Sequence, residues 1–170
     1  MSEASWAGPP VKRGAFPEVA ELIPQARRML LLDRVLEHGP EHAVCAVDVD
    51  RSELFRDAAG CVPAWVGIEY LAQCMAVYGA LVARAAGRPP RLGPLIGGRR
   101  VTLRVDRFQP GQRLVVRVRH LRGDRGLVAF EGRIQDEADG ALLVEGRLNV
   151  YSTDRWTEPP RRAGSPRDAS

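Results

Sequence analysis

Residues 63–84 read Pro63-Ala-Trp-Val-Gly-Ile-Glu69-Tyr-Leu-Ala-Gln73-Cys-Met-Ala-Val-Tyr-Gly-Ala-Leu-Val-Ala-Arg84. Wound as one helix, the run is apolar nearly all the way round, and a helix without a polar face has to be buried. It takes a single carboxylate, Glu69, inside with it, and ionisable groups are rarely carried into a core without a use. Glu69 is therefore a candidate general acid or base. The competing reading is a carboxylate capped by backbone amides or an arginine, holding the helix in register. Gln73, one turn on, can hydrogen-bond Glu69 or a ligand carbonyl, or serve only as a partner for its neighbour.

Outward from this helix the pattern changes. Ahead of it, Met29-Leu-Leu-Leu-Asp-Arg-Val-Leu36 is a short apolar segment that fits strand or helix. Ala43 to Asp50 alternates as a strand, with Ala43, Cys45, Val47 and Val49 on one face. After Arg84, glycine and then proline at 87–90 stop the helix. Everything downstream has a period of two. Val101, Leu103 and Val105 form one apolar face, Leu114, Val116, Val118 and His120 a second, Val128, Phe130, Gly132 and Ile134 a third, and Leu142, Val144, Gly146, Leu148 and Val150 a fourth. Turn clusters lie at 106–111, 122–126 and 136–140. One buried helix and a run of antiparallel strands with one apolar face each predict an α+β fold, a twisted antiparallel sheet wrapped around a single long central helix.

The chain has 170 residues, enough for one domain with a full core. Residues 1–16 and 154–170 are rich in Pro, Gly, Ser and scattered charge and read as disordered tails around a single domain at 17–153. No secretory signal is visible at the N-terminus, and Glu69 and Gln73 break the longest apolar run. A cytoplasmic protein with no membrane partner is the expectation. Three cysteines, Cys45, Cys61 and Cys74, fit neither a disulfide framework nor a metal site and are expected to be free thiols. The net charge of +4 is carried almost wholly by arginine, Lys12 being the one lysine. That bias follows from composition and predicts no nucleic-acid partner. No metal or nucleotide motif is present, so no cofactor is expected.

Three separated stretches carry a family likeness. Leu22-Ile-Pro-Gln-Ala-Arg-Arg-Met-Leu-Leu-Leu-Asp-Arg-Val-Leu36, Gly67-Ile-Glu-Tyr-Leu-Ala-Gln73 and Phe108-Gln-Pro-Gly-Gln-Arg-Leu114 together resemble the hot dog fold 3-hydroxyacyl-ACP dehydratases. The closer likeness, through Val62-Pro-Ala-Trp-Val-Gly-Ile-Glu-Tyr70, is to the branch associated with aryl polyene and related fatty acid-like biosynthesis. The resemblance spans roughly residues 20–151 and implies a hot dog fold, an acyl-ACP or acyl-CoA thioester substrate, an acyl carrier protein partner and at least a homodimer with a tunnel between subunits. It also implies a histidine from one subunit and a helix carboxylate from the other. The histidine removes the proton next to the thioester while the carboxyl group protonates the leaving 3-hydroxyl. Glu69 matches the carboxylate. Val66 and Gly67 match the amide donors at the start of the helix, with Trp65 beside them as a substrate-binding residue.

The chain departs from the family at the histidine. The family's His-Phe-Pro-Gly position falls on Phe55, and its Leu-Pro-His-Arg position on Gln25. Only His38, His42 and His120 remain. His38 and His42 read as surface residues at a turn, and His120 as a structural residue at a strand end. Asp57 in the loop before the helix is a substitute with no motif behind it, and Asp33-Arg34 reads as a structural ion pair. Arg84, Arg88, Arg91, Arg99 and Arg100 could dock an acidic carrier protein or form a solvated face. Three functions stay open: a dehydratase using Glu69, a hot dog thioesterase using the same carboxylate on water, and a non-catalytic acyl-binding or partner subunit.

Overall fold

A computed structural model describes residues 15–25, 27–89, 95–121 and 127–151. The expected tails, apart from residues 15 and 16, and the turn at 122–126 lie outside the described residues. A short helix α1 (Val19–Leu22) and a 3-10 turn at Arg27–Met29 lead into β1 (Arg34–Gly39) and β2 (His42–Asp48). Two 3-10 turns, β3 (Val62–Pro63) and a third 3-10 turn precede the long helix α2 (Gly67–Ala85). β4 (Leu95–Leu103), β5 (Arg107–Phe108), β6 (Arg113–His120), β7 (Leu127–Asp136) and β8 (Leu142–Tyr151) complete the chain. Six strands form one sheet in the order β1-β2-β6-β7-β8-β4, with every neighbouring pair antiparallel, and β3 pairs with β5.

The alternation read from the sequence sets the registers. Cys45 lies opposite Val116, Val116 opposite Ile134, and Ile134 opposite Val144, so one buried row crosses four strands. A second row runs Ala43–Val118–Gly132–Gly146. Its glycines leave room for what lies on top. A Cβ on Gly132 would meet Leu71 Cδ2 of α2 at 2.7 Å, and one on Gly67 would meet Ile134 Cδ1 at 2.9 Å. Helix and sheet therefore approach closely where side chains are missing. The opposite face is covered by charge: Arg119 pairs with Glu131 at 2.6 Å and Arg104 with Glu145, contacts worth about 0.2–1 kcal/mol each.

By length and composition residues 64–85 could cross a membrane, with mean hydropathy 1.4, but 67% of that window is buried inside the fold. It is the core helix. It starts later than the sequence suggests: Pro63 pairs in β3, and Ala64–Val66 turn as 3-10 before α2 begins. Pro63 is extended, with ψ 137°, and pairs with Arg107, so the chain enters α2 by way of a strand and a 3-10 turn. The helix stops at Ala86, and Gly87 takes φ +66°.

β4 departs most from its sequence pattern. The apolar face expected at Val101, Leu103 and Val105 is not packed away: Val101 and Val105 are half-buried and Leu103 is 41% exposed. The strand also begins earlier, at Leu95, and its register slips between Arg99 and Thr102. Arg100 and Val101 form this irregularity, with Arg100 at φ +53°, and they fold against Gly146. A β-bulge of this kind flips the side-chain alternation beyond it.

Two more readings change. Asp33 pairs with Arg51 at 2.7 Å, not with its neighbour Arg34, and accepts a hydrogen bond from the Asp48 N–H. Burial lifts its carboxyl above the ordinary 3.8, against the pull of Arg51. His38 and His42 are half-buried, not solvated. His42 Nε2 lies 2.9 Å from Glu37 Oε1, and His38 and His120 both contact the Tyr78 ring. All three cysteines are buried free thiols.

Two measurements check this account. Gly146→Ala would place a methyl 2.9 Å from Val101 Cα, and overpacking against backbone should cost about 1–3 kcal/mol in urea unfolding. An unchanged midpoint would mean that β4 does not close on Gly146. For Asp33 the native state holds its proton to higher pH than the unfolded chain. Its contribution to stability therefore falls as pH rises from about 3.8 through the native value. The stability of the wild type relative to Asp33→Asn should decline over that window, and a rise with pH would contradict the assignment.

Candidate active site

Helix α2 makes its sheet contacts with β1, β2, β6 and β7. Its remaining side carries Ile68, Glu69, Ala72 and Ala76, one turn apart and half-buried, with the exposed Trp65 just ahead of the helix. Trp65 is 56% exposed. The sequence reading placed Glu69 in the core; the residue is half-buried, on the side of the helix that carries this stripe.

Gln73 is fully buried and its amide is committed. Its Oε1 accepts the Leu31 N–H at 3.0 Å, while Nε2 donates to the Met29 carbonyl at 2.6 Å and to Glu69 Oε1 at 2.9 Å. The Leu31 N–H can only donate, so the amide cannot be flipped, and an N–H must point at Glu69. Oε1 of Glu69 is thus held as an acceptor, and Oε2 is the oxygen left for a proton. Gln73 orients the carboxylate and ties the 29–31 segment to α2. All three of these bonds are made within the chain.

The other expected site residues divide. Trp65 lies just ahead of the stripe that carries Glu69, and Phe55 meets its ring edge-on at 5.8 Å between centroids. The position at which the family resemblance expects an imidazole therefore closes an aromatic corner. Val66 and Gly67 are buried on the core side. The Gly67 N–H turns back onto the Ala64 and Trp65 carbonyls. Asp57 shapes the loop: its carboxylate accepts the Ala59 and Cys61 N–H groups and meets Arg107 at 3.3 Å. Gln25 is half-buried.

The histidines are grouped away from Glu69. His38 and His120 lie against Tyr78, with centroids at 5.8 and 5.9 Å, and the Tyr78 hydroxyl donates to the Pro40 carbonyl. From Glu69 to Tyr78 the helix climbs about 13 Å at ~1.5 Å per residue. Burial pushes the Tyr78 hydroxyl well above its ordinary range, and that of Tyr70, which bonds Ser52 at 2.8 Å, up to about 12. Both are hydrogen-bonding groups at neutral pH. A polar hollow of about 180 Å³ on β1, β2 and β6 is lined by Asp33, Arg34, Asp48, Arg51, Arg113 and Glu137. Its three cations face three anions, and no candidate catalytic residue lines it. Among the described residues no cluster of His, Cys, Asp or Glu is placed to hold a metal ion.

A sheet curled around one long helix, with a carboxylate near the start of that helix, defines a hot dog fold protein. The chain belongs to the ApeP-like family, described as ApeP dehydratase, whose model matches residues 17–159. It is similar to a chain of the dehydratase heterocomplex ApeI:P from Xenorhabdus doucetiae, with 32% identity and a TM-score of 0.75, over 83% of this chain and 94% of that one. Two thioesterases share the fold. Zebra fish thioesterase superfamily member 2 has 20% identity and a TM-score of 0.57, over 79% of this chain and 90% of that one. A hypothetical thioesterase from Streptococcus pneumoniae TIGR4, solved with coenzyme A, has 9% identity and a TM-score of 0.56, over 71% and 84%. No curated protein matches the chain.

Gln73→Met keeps the side-chain length but leaves the buried Leu31 N–H without an acceptor. It should cost roughly 1–3 kcal/mol in chemical denaturation. A loss below a few tenths would show that the 29–31 segment does not depend on this amide.

Proposed function

We propose that this chain is the carboxylate-bearing subunit of a 3-hydroxyacyl thioester dehydratase, acting on an acyl carrier protein or coenzyme A substrate in fatty acid or aryl polyene-like biosynthesis. The observation that carries the reading is the half-buried Glu69, held by Gln73 on the part of the central helix that its own sheet leaves only partly covered.

Dehydration needs two protonic groups. One takes the proton next to the thioester carbonyl, the other delivers a proton to the departing 3-hydroxyl, and water and an enoyl thioester leave. Protonated at Oε2, Glu69 supplies the second. Its Oε1 is held by Gln73, so the carboxyl group is oriented before substrate arrives. The first group comes from a subunit seated on the stripe, because His38 and His120 lie against Tyr78 and His42 is held by Glu37. A relative solved as a dehydratase heterocomplex supports a site assembled from two chains. Trp65 and Phe55 give the acyl chain an apolar wall beside the carboxylate.

The test is turnover by the complex captured from its own host through a tag on this chain, given a 3-hydroxyacyl-ACP. Water loss is expected. Glu69→Gln should lower the rate by about 10²–10⁴-fold, the usual worth of a positioned proton donor, while the complex stays intact. Release of free thiol from the saturated acyl thioester would instead assign a thioesterase. Binding of the acyl group without turnover would assign a partner subunit. Full activity in Glu69→Gln would remove that residue from the mechanism.

A further inference from the structure

Cys45 of β2 and Cys74 of α2 meet at the centre of the fold. Both are fully buried, and their sulfurs lie 3.5 Å apart although 29 residues separate them along the chain. The Cys74 thiol also faces two main-chain carbonyls, Ala43 at 3.7 Å and Val116 at 3.6 Å. A disulfide needs its sulfurs about 2.05 Å apart, so an approach of roughly 1.5 Å would join them, which a side-chain rotation and a small settling of the helix can supply. Burial first, and then the Cys45 sulfur beside it, pushes the Cys74 thiol up, so at neutral pH it is protonated and unreactive while the fold is closed. The third thiol, Cys61, stands elsewhere, 3.6 Å from Gln109 Oε1.

We infer that Cys45 and Cys74 are an internal redox pair, joined by a disulfide that ties α2 to β2 when the chain meets a small disulfide oxidant. One protein thiolate attacks the oxidant's S–S bond, giving a mixed disulfide and releasing one small thiolate. The second protein thiolate attacks the mixed disulfide at the protein sulfur, which closes Cys45–Cys74 and releases the second. The two protons lost by the protein go to the released thiolates, and two electrons pass to the oxidant. Attack requires α2 to lift from the sheet, so the rate follows local opening of the fold, and burial guards the bond once it has formed. The closed stretch from 45 to 74 contains the loop ahead of α2, Trp65 and Glu69, and closing it restricts the unfolded chain. Cys74 follows Gln73, so the fastening falls on the turn of α2 that holds the carboxylate. None of this depends on which reaction Glu69 serves.

The experiment takes the full chain, purified reduced, and incubates it with oxidised glutathione in buffer and in urea below the unfolding midpoint. Remaining thiols are alkylated, and the disulfide is mapped by digestion and mass spectrometry. The expected product joins the Cys45 and Cys74 peptides and leaves Cys61 alkylated. It should form faster as urea rises, and the oxidised chain should melt about 5–15 °C above the reduced one. In the fully unfolded chain the preference should reverse, because Cys61 lies between the other two and loop closure favours the shorter 45–61 and 61–74 loops. Cys61→Ala keeps the pair and should give the same link and the same rise in melting temperature. The inference is overturned if no Cys45–Cys74 link forms below the unfolding midpoint, or if the link found there includes Cys61. It is equally overturned if reaction stops at a mixed disulfide with glutathione, or if the joined chain melts below the reduced one.

Discussion

One helix has to serve a sheet too wide for it. Six strands at about 4.8 Å apart span roughly 24 Å, while a helix with its side chains is about 10–12 Å across. Curling the sheet narrows the mismatch without removing it. Helix α2 settles over β2, β6 and β7, where Gly132 lets Leu71 down onto the strand. β4 projects past it. The uncovered edge is a consequence of that difference in width, and the half-buried stripe that carries Glu69 of a helix having one side on the sheet. The site is open because the fold cannot close it alone.

How far the sequence reveals this depends on which residues are asked. The alternation in β6, β7 and β8 reads directly, since each of those strands has one face on the helix and one on solvent. The family likeness rests on the Leu22–Leu36, Gly67–Gln73 and Phe108–Leu114 stretches, and those are the parts that surround the start of α2. β4 could not be read the same way. Its pattern is apolar at alternate positions, but the bulge at Arg100–Val101 is a response to Gly146, a residue far along the chain. Helical periodicity likewise assigned Glu69 to the core, because it reports how apolar a helix is and not how much cover it finds. The partner of Asp33 lay with Arg51, which only the return of β2 brings near.

Gln73 illustrates the opposite case, a residue whose type was legible and whose task was not. A glutamine one turn from a glutamate suggests a pair of ligand-facing groups. Its surroundings give it three bonds instead, two of them to the backbone at 29 and 31. Those bonds place the Leu30–Asp33 run against the helix and fix the carboxylate as a by-product of closing the fold. Substituting such a residue disturbs structure and geometry together, so its loss cannot by itself assign a chemical role. The kinship in fold with thioesterases has the same root. A carboxylate held at the start of a central helix can give a proton to a leaving hydroxyl or take one from water, and what completes the site decides between them.

Arginine on the open edge answers a difficulty that the width mismatch creates. An apolar stripe beside an exposed edge strand is a template for self-association, and edge charges are one of the ways proteins avoid it. Lysine would give the same sign. Arginine's planar guanidinium can also form paired hydrogen bonds to a carboxylate, which an ammonium cannot match.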